Sequence, residues 1–117
     1  MARMEKINQQ MKREISLMIQ TELQDPRLQL VTITTVDVSK DLSCARVNFS
    51  VFGGEKKEQA ALAALNSARG LIRKMVGERV RLRYTPEIQF FYDRSIEYSS
   101  RIEQTLEEIR NENKNDR

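Results

Sequence analysis

The chain has 117 residues, with 39% hydrophobic and 32% charged side chains. That is one domain's length, too apolar for a disordered chain and too charged for a membrane protein. Its 20 basic against 17 acidic residues leave a net charge of only +3, and it has one cysteine and no histidine. The absent imidazole removes the commonest general base and metal ligand, so neither a Cys/His metal cluster nor a histidine-based catalytic set can be built. A single thiol, Cys44, fits a reducing compartment. With no leader-like apolar run at the start, the expected location is cytoplasmic.

Residues 3 to 24 read as an amphipathic helix, with Met4, Ile7, Met11, Ile15 and Met18 as its apolar stripe. Pro26 disfavours helical geometry at Asp25 and ends it. Residues 30 to 39 are rich in β-branched side chains and suit a strand. After a polar turn, residues 44 to 52 alternate. Ala45, Val47, Phe49 and Val51 point one way, and Cys44, Arg46, Asn48 and Ser50 the other. The pair makes a hairpin with one face on a core.

Gly53 and Gly54 end the second strand, and an alanine-rich helix starts at about Lys57. Gly70 interrupts the pattern and predicts a kink or a join between two helices. Ile88, Phe90 and Tyr92 alternate on a third strand, Glu87 to Tyr92. Asp93 or Ser95 could cap a last helix carrying Ile102, Leu106 and Ile109. Residues 111 to 117 hold no apolar side chain and are expected to form a disordered polar tail. The expected domain covers residues 1–110, with the element order α-β-β-α-(kink)-α-β and a C-terminal helix.

Charge is concentrated in one stretch. Between residues 66 and 83, Arg69, Arg73, Lys74, Arg79, Arg81 and Arg83 face Glu78 alone. Arg69 and Arg73 share a helix face, and Arg79, Arg81 and Arg83 alternate with Val80, Leu82 and Tyr84. On the first helix Arg3, Lys6, Gln10 and Arg13 fall on one stripe. Arginine forks match phosphate oxygens and stack on bases, which makes the cluster a candidate RNA surface. A solvated face that keeps the protein soluble accounts for the charge equally well. Phe49, Phe90 and Tyr92 fit a core, Phe91 has the opposite parity, and Tyr84 reads as a packing residue with a wet hydroxyl. The carboxylates Asp37, Asp41 and Asp93 sit where turns and caps need them.

Several stretches together resemble the bacterial ribosome-binding factor A family. They are Asp25-Pro26-Arg27, Val31 to Val36, Val38-Ser39-Lys40-Asp41-Leu42, Ser67 to Arg73, and Arg81-Leu82-Arg83-Tyr84-Thr85-Pro86-Glu87-Ile88 with Phe90 and Asp93. The resemblance runs from about Arg3 to Ile109. It implies an α+β, type II KH-like fold, with a three-stranded sheet packed on helices. It further implies binding to the free 30S small ribosomal subunit and its 16S rRNA late in maturation. Support for rRNA processing, notably in the cold, follows from the same resemblance, without catalysis. KH domains clamp RNA with a Gly-x-x-Gly loop, and no two glycines here have that spacing. The family's Ala-x-Gly helix kink is matched instead by Ala68-Arg69-Gly70.

The expected RNA-binding set is therefore Arg3, Lys6, Lys12, Arg13, Arg46, Arg69, Arg73, Lys74, Arg79, Arg81 and Arg83. No cofactor, metal, membrane or small-molecule substrate is expected, and the protein is expected to act as a monomer. The alternative is a protein-docking module that makes no RNA contact, using an exposed strand or the last helix.

Overall fold

The structure, a computed structural model, describes residues 2–95. The expected last helix and polar tail lie outside the described residues. Helix α1 spans Arg3–Leu17 and continues as a π turn, Met18–Glu22. Ile7, Met11, Ile15 and Met18 of the expected stripe are all buried. The wider turn adds Ile19 to the core beside Met18, two consecutive residues that one face of a regular helix would not bury together. Leu23 N–H closes this turn on the Met18 carbonyl at 2.8 Å. A 3-10 turn, Pro26–Leu28, follows, capped by Asp25, whose carboxylate accepts the Arg27 N–H and its guanidinium.

Strand β1 is Val31–Val38 and strand β2 is Cys44–Val51, paired antiparallel. The register runs Val31 opposite Val51 and Ile33 opposite Phe49, then slips at Thr34 and resumes with Thr35 opposite Asn48. This bulge switches the parity of β1, so Val31 and Ile33, then Val36 and Val38, all reach the core. Gly53 and Gly54, at φ +124° and +90°, turn the chain into helix α2, Glu55–Arg79. Strand β3, Glu87–Tyr92, pairs parallel to β2, giving the sheet order β1-β2-β3. Parallel pairing requires a crossover, and α2 supplies it.

The expected division of the second helix is corrected: α2 is one unbroken run of 25 residues through Ala68, Arg69 and Gly70. Gly70 has no positive φ. Glycine costs a helix about 1 kcal/mol relative to alanine. Good helix formers around it, and the burial of Ala64, Leu65, Ile72 and Val76 on either side, outweigh that cost.

Both helices cover one face of the sheet, α1 against β1 and α2 against β3. Asn8 Oδ1 accepts the Val38 N–H at 2.9 Å, tying α1 to the end of β1. Ala45, Val47 and Phe49 form the fully buried centre, and Tyr92 meets Phe49 edge-on at 5.7 Å. The other face carries Thr32, Thr35, Asp37, Arg46 and Gln89, all exposed. The expected α+β class, with a three-stranded sheet packed on helices, is the observed one.

Candidate nucleic-acid interface

The exposed face of α2 presents Arg69, Arg73 and Lys74. The connection from α2 to β3 is anchored at its ends by buried Val80 and Pro86, which leaves Arg81, Arg83 and Tyr84 facing out. It runs close to the helix, since a β-carbon built on Gly77 would stand 2.9 Å from Thr85 Oγ1. Arg73 fixes the two together. Its Nη2 donates to the Thr85 carbonyl at 3.0 Å, its Nε donates to the Pro86 carbonyl at 3.3 Å, and Glu87 lies 3.4 Å away.

Between helix and connection lies a cleft of about 650 Å³. Arg69, Arg73, Lys74 and Arg83 line it, with Glu87 as its one carboxylate and Tyr84, Gly70 and Gly77 as neutral wall. The Arg83 guanidinium lies over the Tyr84 ring, 5.5 Å from its centroid, and Tyr84 is 58% exposed. The expectation that Tyr84 packs is corrected, because Val80 and Pro86 do the anchoring on either side.

Arg83 and Tyr84 also border a second groove with Arg3, Lys40 and Asp41, so the basic surface continues from α2 to the start of α1. Lys40 belongs to this surface and was not in the expected set; its place beside Asp41 hid it. The Asp41 carboxylate accepts from Ser39 Oγ, Ser43 Oγ and Ser43 N–H, and these bonds lower its pKa to about 2. Asp41 thus stays ionised beside Lys40, and the turn is fixed rather than plastic. Further along α1, Lys6 and Arg13 share a shallow groove with Gln9, Gln10 and Glu14.

The remaining expected residues separate from this surface. Arg79 is tied to the Glu22 carboxylate at 2.6 and 2.7 Å and lies 3.9 Å from Glu14. It joins the end of α2 to α1 rather than facing a ligand, and hydrogen bonding to Glu22 raises its pKa. Arg46 lies on the open sheet face, its guanidinium 3.9 Å from the centroid of Phe91. Lys12 and Arg81 are exposed but line none of these three grooves. Residues 79 to 83 are not a strand, so the alternation expected to place three guanidinium groups on one side does not operate. No group of three His, Cys, Asp or Glu among the described residues could hold a metal ion. No described helix is long and apolar enough to cross a membrane.

The chain matches the family model for ribosome-binding factor A over residues 3–106. It is 50% identical to ribosome-binding factor A of Acetivibrio thermocellus over 115 residues, covering 97% of this chain and 94% of the relative. With the Brevibacillus brevis protein of the same name, identity is 44% over 110 residues, covering 94% and 91%. The crystal structure of ribosome-binding factor A from Thermus thermophilus superposes with a TM-score of 0.72 at 34% identity, covering 80% of this chain and all of that one. A homology model of the Thermus thermophilus protein, fitted into a cryo-EM map of a 30S–RbfA complex, superposes with a TM-score of 0.62 at 37% identity. It covers 74% of this chain and 91% of that one. With a family match over nearly its whole length and relatives this close, the chain belongs to the ribosome-binding factor A family.

Proposed function

We propose that this protein binds the free 30S small ribosomal subunit through its 16S rRNA, as a monomeric cytoplasmic assembly factor. It acts late in subunit maturation, supports 16S rRNA processing and matters most in the cold, without catalysing a reaction. The observation that carries the reading is the convergence of Arg69, Arg73, Lys74 and Arg83 on one cleft beside exposed Tyr84. Forked and point cations gathered on one surface attract phosphates, and such contacts position a protein on RNA. The fitted RbfA relative in a 30S complex supports the choice of partner.

The test is sedimentation with ribosomal particles. The wild-type chain is expected with free small subunits and not with assembled ribosomes. The variant Arg69→Glu with Lys74→Glu is expected to stay at the top of the gradient while keeping its folded circular-dichroism spectrum. Co-sedimentation of that variant would remove the cleft from the binding surface. In cells lacking the protein, precursor 16S rRNA is expected to accumulate most at low temperature.

A second reading, a protein-docking module without RNA contact, draws on Leu30 and Phe52. They flank the paired ends of β1 and β2 and are 57% and 85% exposed. Affinity for the subunit that ignores salt would favour it, because phosphate contacts release counterions and protein contacts of this apolar kind do not.

A further inference from the structure

Gly70 has no role inside the protein. It stands in the interior of α2, where glycine is a poorer helix former than alanine. Its φ is not positive, and a β-carbon built on it would meet nothing within 4 Å. Neither backbone geometry nor packing therefore calls for glycine here. Gly77 differs, because the close approach of Thr85 explains it. Gly70 is exposed and lines the basic cleft with Arg69, Arg73 and Lys74. A missing side chain at that point opens the helix backbone to whatever enters the cleft.

Tyr84 is the counterpart on the other wall. Its ring is more than half exposed, and among the described residues its one ring contact is the Arg83 guanidinium. The cleft thus joins an uncommitted aromatic surface, a stretch of bare helix and several cations. Aromatic platforms beside a cationic track are how proteins hold unpaired nucleotides, whereas duplex RNA keeps its bases stacked on one another.

We propose that the cleft takes an unpaired nucleotide of RNA, its base stacked on Tyr84 and its phosphate drawn against α2 at Gly70, between Arg69 and Lys74. This rests on the RNA-binding reading and adds to it the strandedness of the target and the place of one base. Arg73 holds the connection in register with the helix, so it positions the platform as well as contributing charge.

The probe is a short single-stranded RNA carrying 2-aminopurine, compared with the same strand annealed to its complement, at one fixed salt concentration with the full chain. The single strand is expected to bind more tightly than the duplex and to lose fluorescence on binding, as the probe base stacks. Tyr84→Leu is expected to abolish the quenching and weaken binding on the order of ten-fold. Tyr84→Phe keeps the ring and is expected to preserve both signals. Gly70→Ala is expected to weaken binding while melting no lower than wild type. Thermal melts of each variant separate loss of contact from loss of fold.

If Tyr84→Leu binds and quenches as wild type while Arg69→Ala with Lys74→Ala binds weakly, the base does not stack there. The stacking proposal then falls and the charge-based reading stands. Equal affinity for strand and duplex likewise overturns it. If the Arg69 and Lys74 variant also binds as wild type, the RNA reading of the cleft falls with it.

Discussion

Asp41 closes the turn between β1 and β2. Its Oδ1 collects the Ser39 hydroxyl at 2.8 Å, the Ser43 hydroxyl at 2.7 Å and the Ser43 N–H at 3.0 Å. Inside that loop Leu42 takes a left-handed φ of 63°, costly for a branched residue, and its N–H bonds the Ser39 carbonyl. These bonds favour the ionised carboxyl and lower its pKa from 3.8 to about 2. A depressed folded pKa stabilises above the unfolded value and loses that stability as pH falls through the folded one. Asp41→Asn is therefore expected to melt below wild type at neutral pH, and the gap is expected to close as pH falls from 3.8 to 2. Melting curves over that range check it, and a gap that persists at the acid end would mean that the turn does not depend on the charge. At the same scale, Gly70→Ala replaces a poor helix former where the new methyl meets nothing. It is expected to raise stability by roughly 0.5–1 kcal/mol, read from denaturant melts.

Among the elements, the two helices and three strands could be read from periodicity alone, because each buries a regular stripe or an alternate set. What could not be read were the interruptions. The bulge at Thr34 shifts the parity of β1, so its buried residues follow no single alternation and only its β-branched character marks it as a strand. The π turn at Met18–Glu22 looks from the sequence like more of the same helix. Gly70 looks like a break, yet packing on both sides carries the helix through it. Candidate residues divide in the same way. The basic cluster showed in the sequence, but which cations are already paired depends on where other elements bring carboxylates. Glu22, 57 residues away in the chain, takes Arg79 out of the binding surface. Arg79→Ala is accordingly expected to cost stability, on the order of 0.5–1 kcal/mol for a partly exposed pair, and to leave RNA affinity within about two-fold. Arg69→Ala should do the reverse, since among the described residues Arg69 makes no ion pair. Urea melts and a binding titration on the two variants check the contrast. Loss of affinity in Arg79→Ala at unchanged stability would return that residue to the interface.

For the molecule as a whole, the net charge of +3 says little about partners, because 17 carboxylates offset most of the 20 cations. Screening makes local arrangement decisive: at about 0.1 M salt, exposed charges act over only ~10 Å. A phosphate at the cleft therefore responds to Arg69, Arg73, Lys74 and Arg83, and hardly to cations on the open sheet face such as Arg46. Arg73 serves as a clamp as well, so its removal would mix loss of charge with loss of shape. Arg69 and Lys74 are free of that role and give the cleaner measurement. For single-stranded nucleic acid, each phosphate contact adds about 0.7 to the fall of log K with log salt concentration. Arg69→Ala with Lys74→Ala removes two contacts, so the slope is expected to become shallower by about 1.4. Arg46→Ala, which alters the net charge but not the cleft, is expected to leave the slope as it was. Titrations of single-stranded RNA at several salt concentrations check both. Equal slopes for the double variant and the wild type would mean that the phosphates lie elsewhere, with Arg3 and Lys40 at the start of α1 as the next surface to remove.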